Sequence, residues 1–291
     1  LLVGDPAQLG EIDAGGLFRH LAQPSMRPAE LTNNQRQSHR WEQQALLDLR
    51  HGHTRRAVDA YATHDRIRTA PDRDTLLQQL AGDYLRSDRA STTVLATRRD
   101  DVAALNSLIR TGLQAAGQLP ADTLVLHDSD GQPLPLAVGE QLLNTRNLTT
   151  AGGQRMLNGT RLTVTEVGPR GVTVDDGTDR HVLDTATAGA VLQHGYATTI
   201  HKAQGVTVDH ALVLGDDLTA HAAYTALSRG RHSNVLYRTS DGDPREQLTK
   251  DLTTGGSDRL ALPRVAQPSR RCEPVVEPQP SSRELGRGLE R

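Results

Sequence analysis

Four short segments, well separated along the chain, carry the residue types from which a reactive site is built. The first, Leu2-Val3-Gly4-Asp5-Pro6-Ala7-Gln8-Leu9, is an apolar strand end that delivers a carboxylate and then an amide. In an open α/β sheet, ligands bind just beyond such strand ends. Taken alone, it reads more readily as a plain strand-turn, with Asp5 capping the turn and Gln8 exposed. The second, Leu31 to Gln37, sets Arg36 among amides ahead of a helix, where a planar guanidinium suits phosphate oxygens. In an arginine-rich chain an isolated arginine usually solvates a surface.

The third segment, Gly195 to Gly205, gathers Thr199, His201, Lys202 and Gln204, a set able to hydrogen-bond a backbone phosphate and a nucleotide at once. Its plainer alternative is a loop whose histidine caps a helix. The fourth, Tyr224 to Arg231, reads as the opening of a helix projecting Arg229 and Arg231. Arginines so placed neutralise charge on a transferring phosphoryl group. Two surface arginines flanking a glycine are an equally good reading of that octet alone.

Other features are weaker. Neither Lys202 nor Lys250 follows a glycine, so the Gly-Lys-Ser/Thr phosphate loop is absent. Asp216-Asp217 reads as a strand end rather than a metal site. His127 to Gly131 has no bidentate Glu at the calcium-loop distance and reads as a hairpin turn. Two histidines, His51 and His53, do not make a metal site. No metal site is expected in this chain.

The elements that must position these groups follow from periodicity. Ala45, Leu46 and Leu49 recur at helical spacing from Trp41 to about His51, and Val58 and Tyr61 mark a second short helix. Leu76 to Leu85 is another amphipathic helix. Thr92 to Ala96 reads as a buried strand, followed by a helix with the stripe Val102, Leu105, Leu108, Ile109 and Leu113. Strand then helix suggests an α/β layer. From about Leu124 to Leu192 short β runs alternate with Gly, Asn and Asp, which predicts a small barrel or meander inserted in the layer. Ala211 to Leu214 then reads as a buried strand, Ala222 to Ser228 as a helix start, and Val235 to Tyr237 as a last strand. Leu1-Leu2-Val3 reads as the end of a buried strand whose sheet is missing, so the chain is expected to be a fragment.

Composition narrows the classes. Against 35 acidic residues stand 33 basic ones, a formal charge of −2, which argues against a polybasic wrapping protein and leaves a local groove. Lysine occurs only twice, so 31 of those 33 are arginine. No run of 18 apolar residues provides a membrane span, and no charged n-region opens a secretory signal. A cytoplasmic protein is expected. The single Cys272 excludes an internal disulfide. From Pro263 to Arg291 the chain holds five of its 14 prolines amid polar residues and reads as a disordered tail or linker.

Taken together and in order, the four segments resemble the motif set of RecD-like superfamily 1 DNA helicases. Leu2 to Leu9 is similar to motif III, Leu31 to Gln37 to motif IV, Thr199 to Gly205 to motif V, and Tyr224 to Arg231 to motif VI. The text between them resembles the helicase part of MobF-type conjugative relaxases, at Ala14 to Phe18, Trp41 to Leu46, Leu157 to Thr160 and Gly195 to Lys202. The resemblance spans about residues 1 to 240.

It implies an α/β fold: a RecA-like motor domain with an inserted small SH3-like β subdomain. Residues 1–30 would end a first, truncated motor domain. Residues 31–125 and 191–253 would form the second motor domain, 126–190 the insert, and 254–291 the tail. Gln8, Arg36 and Arg229 would be catalytic, Gln8 sensing the γ-phosphate and the arginines acting as fingers. Gly4, Asp5, Gln204, Gly205 and Arg231 would complete the nucleotide side, and Thr199, His201 and Lys202 would touch single-stranded DNA. ATP and Mg2+ are the implied cofactors, held mainly by a missing N-terminal part. The implied partners are single-stranded DNA, an upstream relaxase and first motor domain in the same chain, and conjugation machinery, with 5′ to 3′ translocation. A non-catalytic DNA-binding remnant and a RecD-type subunit of a repair exonuclease are the alternatives.

Overall fold

A computed structural model describes residues 3–9, 36–122, 124–129, 131–150 and 153–254. These all belong to one unit, Leu1–Asp258; the second unit, Arg259–Arg291, lies outside them. The expected disordered tail therefore falls almost entirely outside the described residues, as do Leu31 to Gln35 and Ala14 to Phe18.

The frame is a five-stranded sheet in which every pairing is parallel. Its strands are β1 (Ile67–Ala70), β2 (Thr92–Ala96), β12 (Ala197–Thr199), β13 (Val208–Leu214) and β14 (Gly230–Thr239), in the order β1-β14-β13-β2-β12. All five residues of β2 are buried, as a strand covered on both faces requires. One face carries α1 (Arg40–Arg50), α2 (Thr54–Thr63), α6 (Ala220–Leu227) and α7 (Pro244–Thr254) around Leu46, Tyr61, Val213 and Leu248. The other carries α3 (Arg73–Arg86) and α4 (Arg99–Ala115), whose Leu80, Leu105 and Ile109 are fully buried. The apolar stripe read from the sequence of α4 is the one that packs. Helix α3 starts at Asp72, whose side chain accepts from the Thr75 amide.

Between α4 and β12 the chain becomes antiparallel. Strands β5 (Gln141–Asn144), β8 (Arg161–Gly168), β9 (Gly171–Asp175), β10 (Arg180–Asp184) and β11 (Leu192–His194) form a second sheet in the order β10-β9-β8-β5-β11. Short hairpins β3–β4 (Leu124–His127, Pro133–Leu136) and β6–β7 (Leu148–Thr149, Arg155–Met156) and helix α5 (Thr185–Val191) flank it. Alternation buries one face only, so Leu162, Val164, Val172, Val174 and Leu183 form a separate core. His127 ends β3, and Asp128 and Gly131 lie between it and β4, as in the expected hairpin turn.

The two sheets meet at a buried polar junction. Glu140 is fully buried and accepts from Tyr196 Oη at 2.6 Å and from Arg110 Nε at 3.1 Å. Asn106 Oδ1 accepts from the Ala197 amide at 2.8 Å, which fixes the first residue of β12. A buried carboxylate is tolerated there because both oxygens have donors.

Several sequence expectations are corrected. Val3 is 81% exposed and lies in no strand, since the described residues give it no neighbour to pair with; Leu1 and Leu2 are outside them. The helix expected from Ala222 begins at Ala220, capped by Thr219, and Ser228 is its C-cap rather than a helical residue. The strand expected at Val235 runs from Gly230, because a buried Asn234 satisfies the backbone of its polar start. Part of the Gly195–Gly205 segment is strand β12, which sets aside its plainer reading as a loop. Strand β1 and helices α5 and α7 were not anticipated. Among the described residues no helix is long and apolar enough to cross a membrane.

Candidate functional site

The described residues of the first, second and fourth sequence segments, with Gln204 of the third, are brought together beside α6. Residues 5–9 lie along α6, where His221, Tyr224 and Thr225 share a face at i, i+3, i+4 spacing. His221 Nδ1 pairs with Ala7 O at 2.9 Å, Tyr224 Oη donates to Asp5 Oδ2 at 2.8 Å, and Thr225 Oγ1 accepts from the Leu9 amide at 2.9 Å. Gln204 Nε2 donates to Leu9 O at 2.9 Å. Asp5 is also the anchor of its own turn, accepting from the Ala7 amide at 3.1 Å and from Gln8 Nε2 at 3.3 Å. Arg50, on α1, approaches Asp5 at 3.9 Å.

Arg229 corrects the reading of the fourth segment. The segment closes a helix instead of opening one, and Arg229 does not project: it is 1% exposed. Its amide bonds Ala226 O, folding the residue back beneath the end of α6. Its Nε donates to Thr225 O at 2.8 Å, Nη2 to Ser228 Oγ at 2.7 Å and Nη1 to Val206 O at 3.3 Å. A cation is favoured at helix C-terminal carbonyls, which is the local reason for this placement. Arg231, by contrast, is exposed, 3.9 Å from Asp209.

Arg36 reaches the same place from the other segment. Its Nη1 donates to Ser228 O at 2.7 Å, so the two guanidinium groups bind either end of one serine. Burial, and then the neighbouring Arg36 charge, bring the Arg229 guanidinium down to about 10. The two cations are thus held near one another at the end of α6.

The third segment divides. Thr199 ends β12 and pairs in register with Ala96 of β2, so Thr199, His201 and Lys202 lie at the C-terminal edge of the sheet. Lys202 Nζ donates to Gln193 Oε1 at 3.0 Å. Arg229 lies at the opposite edge, its carbonyl accepting from the Val208 amide where β13 begins. The stretch from Ile200 to Thr207 therefore runs from one edge to the other, with Gln204 and Gly205 along it; Gly205 has φ +84°, a conformation that favours glycine. Thr97, Arg98 and Arg99 are further polar residues near Thr199 that the sequence reading did not single out. They follow β2 at the same edge as Thr199, and the strand-to-helix junction was the signal available.

Asp216, past the end of β13, accepts from the Thr239 amide at 3.0 Å and pairs with Arg73 at 3.7 Å. Among the described residues no cluster of three or more His, Cys, Asp or Glu is placed to hold a metal ion.

Residues 1–72 match the family described as AAA domain. The chain is 35% identical over 243 residues to the probable conjugal transfer protein TraA of Sinorhizobium fredii, covering 81% of this chain and 22% of that protein. It is 33% identical over 196 residues to the ATP-dependent DNA helicase PIF1 of Homo sapiens, covering 58% of this chain and 30% of that one. The chain thus spans about a fifth of the length of the TraA relatives it matches. The crystal structure of Bacteroides Pif1 bound to ssDNA aligns with a TM-score of 0.50 at 18% identity, over 73% of this chain and 51% of that one, a likeness of fold.

Proposed function

We infer that this chain, a superfamily 1 helicase homologue of the TraA and PIF1 kind, is the second half of an ATP-driven motor that moves along single-stranded DNA in conjugative transfer. In this reading the intact protein contains a first motor half upstream, with the phosphate loop, and the present chain supplies the opposite wall of the nucleotide cleft. The observation that carries it is the meeting of Asp5, Arg36 and Arg229 around Ser228 and Tyr224, at the far edge of the sheet from Thr199.

The residues present fit the terminal phosphates of ATP and not the metal. Arg36 and Arg229 together offset charge on the equatorial oxygens during phosphoryl transfer. Gln8, held by Asp5, would turn to sense the same group. Mg2+ would be held by the first half, where it would neutralise the developing phosphate charge. For Arg229 to serve, its longest bond, to Val206, gives way to a phosphate oxygen while Nε stays on Thr225. Because Val206 lies on the stretch that links the two sheet edges, that exchange is felt at Thr199, His201 and Lys202. This supplies a path from nucleotide state to DNA grip. The antiparallel unit would act as an SH3-like clamp on the strand, and translocation would run 5′ to 3′.

The test is a comparison of purified residues 1–291 with the full-length protein. The chain alone should show no DNA-stimulated ATP turnover, having one wall of the cleft, and weak single-strand binding whose log-log salt slope is roughly −0.7 per phosphate neutralised. Turnover by the chain alone, above that of the Arg229→Ala chain, would overturn the assignment.

A further inference from the structure

Helix α1 carries a carboxylate in its first turn, on the face of its apolar stripe Ala45, Leu46 and Leu49. That residue, Glu42, is completely buried. Its Oε1 accepts from Asn234 Nδ2 at 2.8 Å and from Tyr61 Oη at 3.2 Å, while Oε2 has no hydrogen-bond partner among the described residues. Burying a carboxylate is costly, and apolar replacements of such groups are often neutral or better for stability. Packing alone does not explain its presence.

What Glu42 holds is an amide with every polar atom committed. Asn234 is also completely buried. Its Oδ1 accepts from the Gly230 amide at 2.8 Å, and its Nδ2 donates both to Gly230 O at 3.1 Å and to Glu42. Asn234 therefore clamps both backbone groups of the residue that follows Arg229, and Glu42 uses the remaining amide hydrogen to fix the clamp's orientation. The cradle is tight: a Cβ on Gly230 would come within 2.3 Å of Ser233 O and 2.7 Å of Asn234 Oδ1.

The same carboxylate governs the second arginine, because Arg36 leads directly into α1. Residues 36–38 run beside 228–231, with Gln37 Nε2 donating to Gly230 O at 3.0 Å and the Ser38 amide to Arg231 O at 2.8 Å. The pieces of chain bearing Arg36 and Arg229 are thus each tied, a few residues further on, to one buried contact between Glu42 and Asn234.

We propose that Glu42, through Asn234 and Gly230, is a positioning residue that sets the separation and aim of the Arg36–Arg229 pair for phosphoryl transfer. This rests on the reading of those arginines given above. Glu42 touches no substrate; its effect is geometric, and a misplacement of about 1 Å at a reacting centre costs on the order of 100-fold.

The experiment measures steady-state ATP turnover of the full-length protein on single-stranded DNA. Glu42→Ala should lower kcat by about tenfold or more and leave KM for ATP within about twofold, the pattern of an interaction that matters in the transition state. Glu42→Gln keeps a carbonyl oxygen for Asn234 and Tyr61 and should recover kcat to within about threefold of wild type. Asn234→Asp keeps the acceptor for Gly230 but sets a carboxylate against Glu42, and should depress kcat as Glu42→Ala does. Adding Glu42→Gln to Asn234→Asp restores a donor to the pair and should recover part of the loss. If Glu42→Ala does not fold, the Asn234→Asp pair decides. Glu42→Ala turning over within about twofold of wild type, or no recovery by Glu42→Gln in either background, overturns the proposal. Arg229→Ala is the control that separates the two ideas. An inactive Arg229→Ala beside a normal Glu42→Ala defeats the positioning role alone, whereas a normal Arg229→Ala defeats the arginine reading itself.

Discussion

The hydroxyl of Tyr224 donates to Asp5 at 2.8 Å, joining two residues from opposite ends of the described chain. Burial, then the facing Asp5 carboxylate, push this phenol up to about 12. A phenol whose folded value exceeds its unfolded one favours the fold while protonated. The contact is therefore complete below about pH 10 and lost as pH rises from about 10 to about 12. Tyr224→Phe should loosen residues 5–9 on α6 at neutral pH, at a cost of about 1.5 kcal/mol or less for one partly buried bond to a charged acceptor. Amide hydrogen exchange reads this directly: Gln8 and Leu9 should exchange faster while α6 is unchanged. Equal protection in both proteins would rule the contact out.

Much of the frame was legible because it rests on apolar pattern. Thr92 to Ala96 and the Leu105, Ile109, Leu113 stripe have one sensible burial each, and the structure gives it. What stayed illegible was polar and long-range. The Ile67-Arg68-Thr69-Ala70 edge strand buries only its last residue, and α7 offers just Leu248 and Leu252 to the core. An arginine at a helix end reads as exposed, yet the free carbonyls of α6 draw Arg229 inward. Glu42 lies in line with the apolar stripe Ala45, Leu46 and Leu49 of α1, but nothing local announces its partner, an asparagine 192 positions away. The four motifs could be ordered along the sequence, but that Arg36 and Arg229 share Ser228 is a fact of tertiary structure only.

The β9–β10 turn should be sensitive to acid. Asp176 is held down to about 2 by the Asp179 amide first and then by the His181 side chain at 3.0 Å. A depressed carboxylate contributes stability that is present above its unfolded value near 4 and lost as pH falls toward 2. Exchange protection of residues 171–184 should fall over that window ahead of the parallel sheet. Asp176→Asn should flatten the dependence, and an unchanged acid profile in the variant would show that the pairing contributes nothing.

At the junction between the sheets, Gly195 leaves no room for a side chain. A Cβ there would lie 2.6 Å from the Leu142 carbonyl carbon and 2.7 Å from its oxygen, both backbone atoms. Gly195→Ala should destabilise by about 1–3 kcal/mol through overpacking. Tyr196→Phe removes a 2.6 Å donor from buried Glu140 and should cost about 1–3 kcal/mol. Chemical denaturation of residues 1–291 measures both. A midpoint unchanged in either variant would mean that the junction relaxes freely.

Arg229→Ala in the full-length protein is the sharpest test of the motor reading. A finger acting on a phosphoryl group is worth roughly 10³ to 10⁵ in rate, about 4 to 7 kcal/mol in barrier. Turnover should collapse while ATP binding, read by nucleotide fluorescence, changes little. The buried position adds a second expectation that a surface arginine would not have. The carbonyls of Thr225 and Val206 lose their donors, so stability should also fall, by about 1–3 kcal/mol. Arg229→Lys separates the two effects. An ammonium keeps a cation at the end of α6 and should restore much of the stability, but it cannot bind Thr225, Ser228 and a phosphate oxygen together, so turnover should stay low. Turnover that returns with stability in Arg229→Lys would make Arg229 a helix cap and nothing more.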